Sequence, residues 1–165
     1  MKPLRVKDVH EAAGTVALLV NESNSLEEVL RRFSQEAALR GIFVTDDSGH
    51  LAGVITRRDL LDWTRLRLGT ALEGPLTPDG ILRLAHLVRA GTARDAIHPG
   101  GEEVSIRPDD PLDQALQIML DSDIIALPVV DDEGRILGDL TLSDVLRYLL
   151  DPPGSHGQRA SGQST

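Results

Sequence analysis

The sequence predicts an α/β fold of the α+β kind: two β-α-β-β-α repeats packed sheet to sheet about a pseudo-twofold axis. Short β-rich apolar runs alternate with stretches of helical period, the mark of mixed architecture. Turn glycines and helix caps also recur in one fixed order. Third, a shift of 85 residues lays one half on the other without a gap from Ser25 to Leu61. Under that shift Asp46-Asp47 falls on Asp131-Asp132, Gly49 on Gly134, Gly53 on Gly138, Thr56 on Thr141, Asp59 on Asp144 and Leu61 on Leu146. Matches at one offset inside one order of elements indicate an internal duplication. A single unit has helices on one face of a three-stranded sheet and leaves the other face apolar, so two units bury those faces together.

The elements follow in order. Residues 1–15 hold a short arm, Leu4 to Val9, and a glycine-containing turn. Val16 to Val20 is a strand. Ser25-Leu-Glu-Glu28 is a capping box, and Leu26, Val29, Leu30, Phe33 and Ala37 form one apolar helical face that ends at Gly41. Ile42 to Val44 and Leu51 to Ile55 flank the turn Asp46 to Gly49 and form a hairpin. Thr56 caps a helix carrying Leu60, Leu61, Trp63 and Leu66, which ends near Gly69. An insert follows: Gly74-Pro75 is a break, Thr77-Pro78 a helix start, and Ile81, Leu84, Ala85 and Val88 its apolar positions, with Gly91 the stop. Thr92 to Ile97 is a second arm. Val104 to Ile106 is a strand, and Asp110-Pro111 starts a helix bearing Leu112, Ala115, Leu116, Met119 and Leu120. In residues 127–150 the hairpin and capped helix return. The organisation is thus a first repeat with its arm (1–69), an insert (70–91), a second repeat (92–150) and a polar Gly/Ser/Pro-rich tail (151–165) expected to be disordered.

Composition narrows the function. A net charge of −9 argues against a general nucleic-acid or anionic-membrane surface. With no cysteine, disulfides, thiolate metal sites and Cys nucleophiles are excluded. No apolar run approaches the roughly 20 residues needed to span a bilayer, and the first residues lack the apolar centre of a signal peptide. A cytoplasmic protein is expected, without direct membrane insertion. The five histidines show no shared ligand spacing, so no metal is required. No nucleophile elbow, Walker loop, dinucleotide fingerprint or His-Glu metal motif is present, and the reading is non-enzymatic, with no catalytic residue assigned.

The segments GHLAGVITRRDLL (49–61) and GRILGDLTLSDVL (134–146), each behind a matching helix, carry a specific likeness. Over about residues 1–150 the chain resembles a tandem pair of CBS domains, named for cystathionine β-synthase: a Bateman module. The resemblance implies a regulatory ligand, an adenine nucleotide (AMP, ADP or ATP) or S-adenosylmethionine, in two symmetry-related clefts. Asp59 and Asp144 would bind ribose hydroxyls, and Thr56 and Thr141 would face phosphate, with Arg58 and its counterpart Ser143 beside them. Ile125, Ala126 and Pro128 would lie against the base in one cleft, and Arg40, Gly41 and Phe43 in the other. A carboxylate suits a vicinal diol, and a hydroxyl with free helix-start N–H groups suits phosphate. The same Thr-x-x-Asp spacing also serves as an N-cap, and the two roles are compatible.

Departures from the family pattern predict unequal clefts, with that of Asp144 the more family-like. Asp139 stands opposite Val54 where an apolar strand residue is usual, and residues 40–43 differ from 126–128. Arg57, Arg58, Arg107 and Arg147 are candidate phosphate contacts that also read as surface charges. His98 is expected on an arm near the second cleft in a surface role. Trp63 and Leu66 are expected to pack on the insert or on a partner, and the insert helix to bridge the halves. The favoured function is a sensor that signals to a partner by conformational change. The alternative is a dimerisation or interaction subunit with empty clefts that serves a transporter or metabolic enzyme. A homodimer through Trp63, Val145, Leu146 and Leu149 fits either.

Overall fold

A computed structural model describes residues 2–10, 17–72, 75–98 and 100–154. The glycine turn before the first strand, Val16, Gly74, Pro99 and the tail beyond Gly154 lie outside the described residues. The elements are α1 (Val6–Val9), β1 (Ala17–Asn21), α2 (Leu26–Gln35), β2 (Gly41–Thr45), β3 (Leu51–Ile55), α3 (Arg57–Leu68), α4 (Pro78–Val88), α5 (Ala93–Ala96), a 3₁₀ turn (Gly101–Glu103), α6 (Leu112–Ser122), β4 (Ala126–Val130), β5 (Ile136–Thr141) and α7 (Leu142–Leu150). In the first repeat β1 runs parallel to β2, and β2 antiparallel to β3. In the second, β4 and β5 form the equivalent hairpin.

Phe43 and Val54 from the first sheet share one core cluster with Leu127, Val129 and Leu140 from the second, as expected for two apolar sheet faces buried together. A separate cluster lies on the other side of the first sheet, where Leu18, Val20, Ile42, Val44 and Ile55 meet Leu26 and Val29 of α2 and Ala93 and Ala96 of α5. The alternation of strand side chains between faces produces this division. The two hairpins touch at their turns, where the Leu51 N–H donates to the Gly134 carbonyl at 2.9 Å.

Each arm docks on the start of the opposite repeat's first helix. The Val6 N–H donates to the Asp110 carbonyl (3.0 Å) and the Leu112 N–H to the Leu4 carbonyl (2.9 Å). In the other half, the Leu26 N–H donates to the Gly91 carbonyl (3.1 Å) and the Ala93 N–H to the Asn24 carbonyl (2.9 Å). Backbone donors left over at a helix start are thereby satisfied by the chain of the other half.

Several boundaries differ from expectation. The helix α2 stops at Gln35 rather than near Gly41, because Glu36 is extended and the chain must turn to enter the parallel ladder with β1. Asp110 does not cap α6; its carboxylate accepts the Arg107 N–H (2.9 Å) and Pro111 takes the cap position. Leu120, placed on the apolar face of that helix, is exposed. The strand expected at Val104 to Ile106 shrinks to one parallel bridge between Ile106 and Val129. Ile106 donates to Pro128 O and accepts from Val130 N. The next donors along the ladder would be residues 128 and 108, both prolines without an N–H, so the pairing cannot extend either way.

The insert helix is turned from the face its apolar spacing suggested. Leu84 and Leu87 are buried, whereas Ile81 and Val88 are exposed. Its main contacts are with α3 of the first repeat and with α5 of the second arm, which itself packs in the first-repeat cluster.

The equivalent hairpin turns are tied by Asp46 and Asp131. Asp131 Oδ1 accepts the N–H groups of Glu133 and Arg135, each at 2.9 Å. The Arg135 backbone N–H, then that of Glu133, holds the Asp131 carboxyl below its ordinary 3.8. A depressed folded-state pKa stabilises above the unfolded value and is lost as pH falls through the folded value. Asp131→Asn should therefore melt below the wild-type chain at pH 7, and the gap should close as pH drops below 3.8. Thermal denaturation across pH 2.5 to 7 checks this; a gap constant with pH would contradict it.

Candidate functional site

Both Thr-x-x-Asp motifs form reciprocal caps. At the first, Asp59 Oδ2 accepts the Thr56 N–H and the Thr56 hydroxyl, each at 2.8 Å, and the Asp59 N–H donates to Thr56 Oγ1 at 3.3 Å. At the second, Asp144 Oδ2 accepts the Thr141 N–H at 3.1 Å and the hydroxyl at 2.6 Å, and the Asp144 N–H donates back at 3.1 Å. Thr56 directly follows β3 and Thr141 closes β5; in each case the extended backbone of the Thr turns the chain into the helix, and the box satisfies donors that the first helical turn leaves free.

The other carboxylate oxygen distinguishes the two sites. Asp59 Oδ1 accepts Arg83 Nη2 at 2.6 Å and lies 3.1 Å from His98 Nδ1, a donor in the tautomer protonated there. The Asp59 side chain is 1% exposed and that of Arg83 10%. Each oxygen of Asp59 thus meets two donor groups, and the carboxylate has no vacant direction for a ligand diol. Asp144 is 31% exposed, and among the described residues Oδ1 meets only Arg147 Nη1, at 3.3 Å from a side chain that is 71% exposed. One oxygen at Asp144 therefore keeps acceptor capacity facing solvent.

Arg83 comes from the insert. It also donates from Nη1 to the Ile97 carbonyl (3.2 Å) and from Nη2 to the Ala96 carbonyl (2.9 Å). His98 is brought in by the same segment: its N–H reaches the Val54 carbonyl at 3.4 Å, and Gly101 packs so close that a Cβ there would sit 3.2 Å from that oxygen. His98 thus belongs to the first motif, not the neighbourhood of the second. A cavity of about 850 Å³ opens beside this cluster between α3, α4 and residues 94–98, lined by Arg58, Asp62, Arg83, His86, Arg94 and His98. Arg94 is paired with Glu22.

The remaining predicted residues divide. Arg58 and Ser143 are exposed on the first turns of α3 and α7. Ile125 is exposed beside the second motif, its carbonyl accepting the Leu142 N–H at 3.0 Å. Ala126, Pro128 and Phe43 are buried, and the Phe43 side chain packs in the shared core. Gly41 opens β2 half-buried, and Arg40 is exposed, donating to the Ala37 carbonyl at 3.1 Å. Arg57 pairs with Asp123 at 2.5 Å. Asp139 is buried opposite Pro128 and engaged within the structure, so its carboxylate is not presented to solvent. Trp63 packs at the edge of the first-repeat cluster with the Arg67 guanidinium 5.0 Å from its ring centre. Val145, assigned to an outer face, is buried. Among the described residues no group of three or more His, Asp or Glu is placed to hold a metal ion, and no helix is long and apolar enough to cross a membrane.

A family model of the CBS domain matches residues 6–65 and 95–151. The magnesium transporter MgtE of Thermus thermophilus is 32% identical over 84% of this chain, which spans only 27% of the transporter's length. An uncharacterised Methanocaldococcus jannaschii protein, MJ1426, is 29% identical over 81% of this chain and 86% of its own. Among solved structures, a CBS domain-containing protein of Thermotoga maritima superposes with a TM-score of 0.67 at 26% identity, covering 91% of this chain and 96% of that one. The cytosolic domain of the Mg²⁺ channel MgtE in complex with ATP superposes with a TM-score of 0.51 at 30% identity, over 79% and 44%.

The two aspartates should differ sharply in their effect on stability. Asp59→Ala leaves the buried Arg83 without its carboxylate, and breaking a buried pair from one side costs about 3–5 kcal/mol. Asp144→Ala removes part of an N-terminal cap at a half-open site, where about 1 kcal/mol is expected. Urea denaturation of both variants measures the difference; equal losses would contradict the burial of the Asp59–Arg83 pair.

Proposed function

The chain belongs to the CBS domain family, and on that footing we propose that it is a non-catalytic regulatory module whose ligand is an adenine nucleotide or S-adenosylmethionine, held at the cleft of Thr141 and Asp144. The observation that carries this reading is the part-exposed Asp144 carboxylate, whose Oδ1 is engaged only by the exposed Arg147 among the described residues, next to a helix start that also offers the Ser143 hydroxyl. A ribose diol donates two hydroxyl protons, and a carboxylate oxygen with spare acceptor capacity is the natural partner. Phosphate oxygens would then lie toward the N–H groups at the start of α7, at the positive end of its dipole. The ATP complex of the MgtE cytosolic domain supports the choice of ligand class.

Because each arm is hydrogen-bonded to the opposite repeat, a ligand that draws the halves together also strains or relaxes both arms, and a partner would read the change. A transporter or an enzyme is the proposed recipient. Leu142, Leu146 and Leu149 on α7 and Leu61 and Leu68 on α3 are exposed and form our proposed homodimer face.

Thermal melting with AMP, ADP, ATP and S-adenosylmethionine tests the sensor. A ligand that binds only the folded chain stabilises it by about 2.7 kcal/mol at a hundred times its Kd. The midpoint should rise with at least one of the four, and Asp144→Ala should remove the rise while staying folded. No shift with any of them would refute the reading. Sedimentation velocity tests the assembly: the wild-type chain should run as a dimer and Leu149→Lys as a monomer, whereas a wild-type monomer would rule out this face.

A further inference from the structure

We propose that Arg83 acts as a built-in occupant of the first cleft, so that the native chain takes one ligand, at Asp144, and removal of Arg83 turns Thr56 and Asp59 into a second site. The proposal rests on the reading of Asp144 as the ribose acceptor. Asp59 and Asp144 stand in equivalent motifs with the same reciprocal cap, so intrinsic chemistry does not separate them. The donors on the second oxygen do. At Asp59 a guanidinium and an imidazole take the directions that two ligand hydroxyls would require. The Arg83 guanidinium also ties down the Ala96 and Ile97 carbonyls, so one side chain joins α4, the second arm and the first motif.

Three further observations give this contact the character of a removable closure. First, it sets the rotation of α4: Arg83 faces inward with Leu84 and Leu87, while Ile81, Leu82 and Val88 are left exposed. Second, Arg83 Nε is buried with no hydrogen-bond partner among the described residues, so the closed arrangement leaves a polar group unsatisfied there. Third, the adjoining cavity of about 850 Å³ already provides ligand-sized space lined by Arg58 and His86, and Arg83 forms part of its wall. No described residue plays the part of Arg83 at Asp144, where the nearest cation is the exposed Arg147.

Calorimetric titration with AMP, ADP, ATP and S-adenosylmethionine, on the full chain and on Arg83→Ala, reads the number of sites. One site in the wild type and two in Arg83→Ala, the added one abolished by Asp59→Asn and the original by Asp144→Ala, is the expected result. Two sites in the wild type, or one in both, would overturn the inference and leave the Asp144 reading standing. No site in the wild type but one in Arg83→Ala that depends on Asp59 would uphold the inference and overturn the Asp144 reading. No binding in any variant overturns both. Circular dichroism establishes that Arg83→Ala is folded, and Arg83→Gln replaces it in the titrations if it is not. A ligand-free check is a double-mutant cycle of Arg83→Ala with Asp59→Asn by thermal midpoint. Strong non-additivity is expected, and additive shifts would overturn the proposed contact.

Discussion

A carboxylate buried in the first turn of a helix must be met by donors, and much of the first repeat is arranged to supply them to Asp59. Thr56 provides two within the motif itself. The remaining oxygen is out of reach of the local chain, and its donors, Arg83 and His98, lie 24 and 39 residues away. To deliver Arg83, α4 must lie against α3 with an arginine facing inward. To deliver His98, the second arm must pass close over β3, which the bare Cα of Gly101 permits. A charge taken out of water without such partners would cost several kcal/mol, so the position of the insert and the path of the arm follow from one buried group.

Duplication produced equal boxes, and the surroundings made them unequal. Both motifs keep the Thr–Asp reciprocity because it is local: a strand end, a helix start and a side chain three residues on suffice. The long-range partners differ because the intervening segment is inserted on one side. It packs against the first repeat and completes Asp59, while the corresponding oxygen of Asp144 meets only a side chain on its own helix. The exchange of arms, by contrast, is nearly the same in both directions, since it depends on free helix-start donors that both repeats possess.

The parts of this arrangement that could be read from the residues are those decided within a few positions. The hairpins, the capped helices, the Pro78 start and the 85-residue repeat belong there. What escaped depends on a partner distant in the chain. The strand at Val104 to Ile106 has the right side chains, but its ladder is stopped by Pro128 on the neighbouring strand and by Pro108 ahead of it. The buried face of α4 differs from its apolar spacing because Arg83, which reads as an outward residue, turns inward to a carboxylate 24 residues away. His98 reads as a residue near the second cleft, whereas the arm that carries it crosses to Asp59 in the other repeat. Asp139, which has no apolar excuse in a core strand, is buried in company rather than facing a ligand.

An occupant supplied by the chain differs from a soluble competitor in one respect: its concentration at the site is set by the tether, not by the cell. Effective concentrations of tethered groups reach about the millimolar range for short flexible linkers. A packed helix holds its arginine still more firmly than such a linker. A cleft closed in this way would not respond to modest changes in free nucleotide, because a ligand would first have to displace the guanidinium from Asp59 and from two backbone carbonyls. It responds instead to anything that moves α4. At Asp144 no such competitor stands among the described residues, and a ligand bound there as proposed would follow its concentration directly. Under the proposed assignment the duplicated motifs would divide two inputs between them, the level of a small molecule at Asp144 and the placement of a helix at Asp59, and the arms exchanged between the halves would give each a mechanical route to the other.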